Sequence, residues 1–286
     1  MSRNATSPLA LIRDILVGTA VEGEREEPSS AIGYGLTLAK AAGAHLTVQS
    51  ASWRLSGDDA WIGDFAYEGM GVIDRRLDTL ARSIADRTAG DAAQAGVICT
   101  TESPSLPYPE VVSRLAARAR LHDLTVLDSG PRTYDLDREM IEKALFLSGR
   151  PVIAVPPGQG AFAARRIIVA WDGSAQAARA ANDAMPFLRA AEAVEIVSVA
   201  DEGEIDVFVP GAEFAPHLAR HGVTVTVNDL PATDGVANLL RTQAGLFRAD
   251  MIVMGAYRHS QAREFLFGGV TRSLLKSSPT PLFVAH

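Results

Sequence analysis

The sequence predicts an α/β protein of two tandem domains, each a mostly parallel five-stranded sheet with helices on both faces. Two observations support this prediction. Strand-like apolar segments recur in the same order in the two halves of the chain, with helical patterns between them. These segments are apolar almost throughout, which is typical of parallel strands covered on both faces. We place the domains at residues 1–158 and 159–286, because Pro156–Ala161 has the composition of a linker.

The repeat consists of four pairs of strand-like segments. Each segment is a short apolar run rich in β-branched residues, as strands are. The pairs are 13–18 with 165–170, 44–50 with 193–199, 122–127 with 249–254, and 150–155 with 280–285. Because their order is the same in both halves, each half is expected to form one parallel α/β unit with right-handed crossovers.

Helical patterns separate these segments. Ser174 is expected to cap a helix that runs to about residue 191. The apolar stripe of this helix has i, i+3, i+4, i+7 spacing and consists of Ala181, Ala184, Met185 and Leu188. Ser30 is expected to cap the corresponding helix of the first half. Further helices are predicted at 72–89, 109–120, 235–247 and 271–277.

The composition predicts a soluble, cytoplasmic protein. Of the 286 residues, 47% are hydrophobic, yet no apolar run approaches the ~20 residues that cross a bilayer, so no membrane partner is expected. The first residues lack the pattern of a secretory signal, and a lone cysteine, Cys99, excludes an internal disulfide. The net charge is −7, with 16 basic and 21 acidic residues up to Gly158 and 11 and 13 after it. Neither half is basic, which disfavours nucleic acid as a partner.

A phosphate-binding loop is predicted near the end of the chain. Gly255 directly follows an apolar strand, so a ligand can approach the backbone there. Gly268 and Gly269 precede a helix whose free N–H groups and dipole would cradle an anion. Thr271 would add a hydroxyl in the first turn, and Arg258 would add positive charge.

A carboxylate follows the first strand of the same half. Asp172 falls just past the carboxyl end of that strand and is followed by Gly173 and Ser174. Ligands bind at this edge of open parallel sheets, where a carboxylate can accept hydrogen bonds from ribose hydroxyls or an adenine amine. The alternative is that Asp172 only caps the helix that Ser174 starts.

Together these motifs resemble the universal stress protein family in its tandem two-domain form, over nearly the whole chain. The family's nucleotide-binding motif, Gly-x2-Gly-x9-Gly-(Ser/Thr), corresponds here to Gly255, Arg258, Gly268 and Gly269. The resemblance implies Rossmann-like domains and ATP as the ligand, with adenine near Asp172 and the end of the second strand and phosphates on the glycine loop. The candidate nucleotide-binding residues are Asp172, Gly173, Ser174, Val199, Met254, Gly255, Arg258, Gly268, Gly269, Val270 and Thr271.

Two positions depart from the family's motif. Arg258 replaces the second glycine, and Gly269 replaces the hydroxyl residue. The arginine could fill the phosphate space or clamp a phosphate, and Gly269 still offers its N–H. Because family members without the motif do not bind nucleotide, a site that has lost its ligand stays open as an alternative.

The first half lacks the same features. Thr19 and Ala20 stand where the second half has Trp171 and Asp172, and Asp128 stands at the position of Gly255. Arg138 and Glu139 replace the later glycine pair. Acidic groups would repel phosphate. This half is therefore expected to bind no ATP and to keep the scaffold and a partner surface.

Other conspicuous side chains are assigned to ordinary roles. His217 and His221 have the i, i+4 spacing that suits zinc on a helix, but without a third ligand in view a solvated helix face is favoured, and no metal is expected. Trp53 and Trp61 could line a pocket or a partner groove, although ordinary packing is favoured. Cys99 is expected to be a structural thiol.

Three functions fit these observations. The first is a stress-response protein in which ATP in the second domain is a regulatory ligand. The second is a scaffold that has lost its nucleotide site, and the third, ranked last, is an enzyme of adenylate chemistry. The sequence shows no catalytic motif, so an enzyme is not expected beyond slow ATP hydrolysis.

The resemblance also implies that the two domains pair through their edge strands. The candidate edges are Val152–Val155 and Leu282–Ala285, since each ends its half. The chain would then form a dimer-like unit by itself. A homodimer of two such chains is compatible with the sequence and is not decided by it.

Overall fold

The computed structural model describes residues 7–21, 29–54, 64–130, 136–200, 210–231, 235–256 and 269–286. The chain alternates strands and helices, as predicted. After a 3-10 helix at Pro8–Leu11, the elements of the first half are β1 (Asp14–Val21), α1 (Ser30–Ala42), β2 (His45–Arg54), α2 (Asp64–Ala95), β3 (Cys99–Glu102), β4 (Ser105–Pro107), α3 (Tyr108–Ala119), β5 (Leu124–Asp128), α4 (Leu136–Ser148) and β6 (Val152–Val155).

The second half repeats this order with fewer additions. Its elements are β7 (Arg166–Trp171), α5 (Ala175–Asp183), α6 (Met185–Ala190), β8 (Ala193–Ala200), α7 (Gly211–Arg220), β9 (Val225–Pro231), α8 (Val236–Phe247), β10 (Met251–Gly255), α9 (Gly269–Ser277) and β11 (Leu282–Ala285).

The two halves share one continuous sheet. In the described residues its strand order is β3-β2-β1-β5-β6-β11-β10-β7-β8-β9, with the short β4 beside β2. Pairing within each half is parallel, whereas β6 and β11 pair antiparallel, with Ile153 opposite Phe283. The predicted fold class and the predicted pairing of the two edge strands are both confirmed.

The repeat extends to a hydrogen-bonding detail at the start of each central strand. Asp123 accepts hydrogen bonds from the N–H groups of Arg13 and Asp14, at 2.7 and 3.0 Å. Asp250 does the same for Arg165 and Arg166, at 2.9 Å each. Asp14 and Arg166 are therefore equivalent positions of the repeat. Since these residues lie opposite His45 and Ala193, the second strands align His45, and not Ala44, with Ala193.

The hydrophobic core lies on both faces of the sheet and continues across the halves. On one face, buried residues of β1 and α1 belong to the same cluster as Phe187 and Phe283. On the other face, Leu115 and Leu145 of the first half share a cluster with Ile252 and Leu274 of the second. Separation of the halves would therefore expose apolar surface on both faces, at a cost of about 25 cal/mol for each Å².

The segment that joins the halves is fixed onto α1. The N–H of Gly158 donates to Ser30 Oγ at 3.0 Å, and the N–H of Phe162 donates to Thr37 Oγ1 at 2.8 Å. A Cβ on Gly33 would lie 2.5 Å from the carbonyl oxygen of Gly160, so only glycine permits this approach. The predicted linker is thus packed structure rather than a loose tether.

The structure corrects several predicted boundaries. Ser29, not Ser30, caps α1, since Ser29 Oγ accepts a hydrogen bond from the N–H of Ile32, and the Ser30 hydroxyl accepts from the linker. The helix predicted over 175–191 is broken at Ala184, since Pro186 lacks the N–H that a continuous helix would need. The predictions did not locate β3, β4 and β9. Among the described residues, no helix combines the length and the apolar character needed to cross a bilayer.

Candidate functional site

The predicted site lies where the strand order of the second half changes direction. The central strand β7 has β8 on one side and β10 on the other, all parallel. The carboxyl ends of β7 and β10 therefore meet at one edge of the sheet, followed by Asp172 and Ala256. Ligands of open parallel sheets bind in the crevice at such a point.

Asp172 organises the turn from β7 into α5. Its Oδ1 accepts a hydrogen bond from the N–H of Ser174 at 3.0 Å, and Gly173 between them has φ of +73°. Ser174 Oγ in turn accepts from the N–H of Ala177 at 3.1 Å and caps α5. Asp172 is half-buried, and among the described residues its Oδ2 has no hydrogen-bond partner. One oxygen thus serves the turn, as in the capping alternative, and the other accepts no hydrogen bond from a donor within the described residues.

The packing of the structure requires glycine at position 255, for a reason that the sequence did not reveal. A Cβ at this position would lie 2.5 Å from the backbone nitrogen of Ala177 and 2.6 Å from the carbonyl carbon of Gln176. The sequence predicted that this glycine lets a ligand approach the backbone. In the structure, it lets the first turn of α5 approach the backbone. The strand exit is also fixed, because the N–H of Ala256 donates to the Ala285 carbonyl at 2.9 Å.

The other predicted phosphate contact is the start of α9. This helix begins at Gly269, which is exposed, and no atom of the described residues would lie within 4 Å of a Cβ added there. Thr271 lies in the first turn as expected, but its side chain is buried on the core side of the helix. Val270 is half-buried against the same core. Little of the Thr271 side chain is therefore accessible to a ligand.

Arg241 on α8 holds the far end of α9. Its guanidinium donates to the carbonyl oxygens of Ser273 at 2.6 Å and of Ser277 at 3.0 Å. The Ser277 carbonyl is one of those that a helix C-terminus leaves without intrahelical partners, and the Ser273 carbonyl lies one turn before it. The contact anchors the helix whose N-terminus points towards the predicted site.

Some of the predicted site residues are not placed by the structure. Arg258 and Gly268 lie outside the described residues. For Val199, the structure describes the backbone of β8, which pairs with Leu230. Met254 is buried in the core beneath the strand end. The structure therefore brings together Asp172, Gly173, Ser174, Met254 and Gly255, and the complete nucleotide-binding set stays a prediction.

The corresponding corner of the first half is closed by a carboxylate. Asp128 Oδ1 accepts from the N–H of Ala31 at 2.8 Å, and Oδ2 accepts from Ser29 Oγ at 2.6 Å. Burial raises the pKa of Asp128, although these hydrogen bonds act in the opposite direction. An acceptor already occupies the N-terminus of α1, where an anion would otherwise bind.

The other side chains discussed above have ordinary surroundings. Trp53 packs edge-on against Tyr108, with ring centroids 6.2 Å apart, whereas Trp61 lies outside the described residues. Arg138 pairs with Glu142 on α4, at 2.7 Å. Cys99 is half-buried at the start of β3, and burial raises the pKa of its thiol. A raised pKa lowers the fraction of reactive thiolate at neutral pH.

Comparison with known proteins gives a family match for the second half of the chain and a fold for both halves. The profile of the universal stress protein family matches residues 163–286. No curated protein matches the chain. A universal stress protein from Archaeoglobus fulgidus DSM 4304 is 17% identical, with 95% of each chain covered and a TM-score of 0.69. A functionally unknown protein from Pseudomonas aeruginosa PAO1 is 14% identical, with 97% of this chain and 93% of that chain covered and a TM-score of 0.58. At these identities the structural likeness establishes the fold of both halves.

Proposed function

We propose that the chain is a stress-response protein of the universal stress protein family, whose profile matches residues 163–286, and that it binds ATP in its C-terminal domain as a regulatory ligand. The proposed role is not enzymatic, and slow hydrolysis of bound ATP would be incidental to it. The N-terminal domain has a structural or partner-binding role in this proposal.

One observation carries the proposal. At the change of strand order, Asp172 uses Oδ1 for its own turn and keeps Oδ2 without a partner among the described residues. A carboxylate oxygen in this crevice is suited to accept hydrogen bonds from the ribose hydroxyls or the adenine amine of a nucleotide. The N-terminus of α9 follows β10 and adds a positive helix-dipole end for phosphates.

The number of ATP molecules expected for each chain follows from the structure of the first half. There the Asp128 carboxylate covers the N-terminus of α1, and a phosphate would meet a negative charge rather than free N–H groups. We therefore expect one ATP for each chain.

The test is calorimetric titration of ATP into wild-type protein and the variant Asp172→Asn. Asparagine keeps the acceptor for Ser174 N–H but presents an amide NH₂ in place of the second oxygen. We expect wild type to bind one ATP and Asp172→Asn to bind it at least about tenfold more weakly, or about 1.4 kcal/mol. Asp128→Asn is the matched control at the other corner and should bind like wild type. Unchanged affinity in folded Asp172→Asn would overturn the assignment.

A second candidate function rests on the same contacts. The turn around Asp172 and the close packing of α5 on Gly255 explain both residues without a ligand. With Arg258 and Gly269 departing from the motif, the chain could instead be a nucleotide-independent scaffold. The absence of titration heat, together with the absence of nucleotide in gently purified protein, would favour this candidate.

A further inference from the structure

A second set of possible ligands lies on α7, on the α5 side of the sheet and separate from the predicted nucleotide residues. His217 is in the last turn of α7, and His221 is its C-terminal cap residue. Their ring centroids are 4.8 Å apart, with 59° between the ring planes. Two imidazoles at this spacing can bind one cation, and the C-terminal end of a helix favours positive charge.

The ring of His217 is held in place by aromatic stacking. It stacks on Phe214 with centroids 5.5 Å apart and an interplanar angle of 24°. Phe214 stacks on the buried Trp171 at 3.9 Å and 7°. One imidazole is thus oriented before any ligand arrives, which lowers the entropic cost of binding.

The tertiary structure adds an oxygen that the sequence could not reveal. Asn182 of α5 donates from Nδ2 to the carbonyl of Ala178 at 2.9 Å, which turns Oδ1 towards His217. This Oδ1 lies 3.4 Å from His217 Nε2. Such a distance is long for an N–H···O hydrogen bond, whose usual length is about 2.9 Å. It equals the separation of about 3.4 Å between two ligands that each lie about 2.1 Å from a tetrahedral zinc ion.

We propose that His217, His221 and Asn182 form a binding site for one divalent transition-metal ion, of which Zn²⁺ is the best match. Imidazole nitrogens suit Zn²⁺, Ni²⁺ and Cu²⁺, and two imidazoles with one oxygen leave a fourth tetrahedral position for water. Among the described residues, no group of three His, Cys, Asp or Glu side chains could hold a metal ion. The proposed set differs in that its third ligand is an amide oxygen supplied by a neighbouring helix.

The test is calorimetric titration of ZnCl₂ into untagged full-length protein. All proteins carry Cys99→Ser, which removes the chain's one thiol as a competing ligand. We expect one site, with affinity reduced at least about tenfold, or about 1.4 kcal/mol, in His217→Ala and in His221→Ala. His45→Ala is the matched control, because His45 contacts Asp14 and Thr100 at the other end of the sheet and should not affect binding.

Asn182 gives the sharper result. Asn182→Leu should weaken Zn²⁺ binding, whereas Asn182→Asp should strengthen it, since a charged carboxylate oxygen then occupies the third position. If the two histidines bound Zn²⁺ without Asn182, neither substitution of Asn182 would change the affinity for Zn²⁺. Absence of saturable binding, full binding in folded His217→Ala, or equal affinity of the three Asn182 proteins would each overturn the proposal.

Discussion

The same corner of the fold is used in opposite ways by the two halves. In the first half, β5 ends in Asp128, whose carboxylate binds the N-terminus of α1. In the second half, β10 ends in Gly255, and the first turn of α5 packs directly onto the strand. The acidic side chain at this edge of the second half is instead Asp172, at the end of the central strand. A repeated fold can therefore keep its backbone while the side chain at one strand end differs between the copies, and in the first copy a carboxylate covers the N-terminus of the next helix.

The two halves also differ inside the sheet. Gln49 and Val197 each lie opposite the fifth residue of their central strand, Gly18 and Ala170. Gln49 is 1% exposed, and neither polar atom of its amide has a hydrogen-bond partner in the described structure. Val197 at the matching place has no polar group to satisfy. At this position, therefore, the first half carries a desolvation cost that the second half avoids.

The largest effect on stability is expected at Gly255, which packs against the backbone of α5. Gly255→Ala places a methyl group 2.5 Å from the Ala177 nitrogen, so strand or helix must shift. We expect a loss of about 3 kcal/mol in the free energy of unfolding, measured by urea denaturation. Gly269→Ala is the matched control, because no atom of the described residues lies within 4 Å of its added Cβ, and it should change stability by less than about 0.5 kcal/mol. Equal effects of the two substitutions would contradict the described packing of α5.

An intermediate effect, of opposite sign, is expected at Gln49. Gln49→Met keeps the length of the side chain and removes two buried polar atoms that have no hydrogen-bond partner among the described residues. The variant should be more stable by about 1–2 kcal/mol, seen as a higher urea midpoint with an unchanged slope. Val197→Met in the other half is the comparison, since it removes no polar group and adds bulk, and it should be destabilising. A less stable Gln49→Met would mean that the amide makes hydrogen bonds in solution.

The smallest effect is a pH dependence at Asp128. Its pKa is raised by burial above the ordinary 3.8, so the folded state holds the proton more tightly than the unfolded state. The contribution of this group to stability is therefore full below the unfolded pKa and declines as pH rises through the raised folded pKa. Asp128→Asn removes this decline and keeps an acceptor for Ala31. The difference in melting temperature between variant and wild type should become more favourable to the variant from pH 4 towards neutrality, and a flat difference would contradict the raised pKa.

The sequence determined the fold class, the repeat and the strands that join the halves. The fold class and the repeat rest on local patterns, since continuous apolar runs mark buried strands wherever they pack. The pairing of the two strands that join the halves was implied by the resemblance to a family. The outer strands β3 and β9 were not located, because half-exposed edge strands lack that pattern. Pro186, at the break after Asp183, is visible in the sequence, but the apolar stripe favoured the prediction of one continuous helix.

Only the tertiary structure decided what the polar residues contact. The sequence marked Asp172 and Gly255 as site residues, yet the packing of α5 against β10 gives Gly255 another reason to be glycine. The sequence also left His217 and His221 without a third ligand, and the nearby oxygen comes from Asn182, 35 residues earlier on another helix. Side-chain contacts of this kind depend on how separate elements pack, and no local periodicity encodes them.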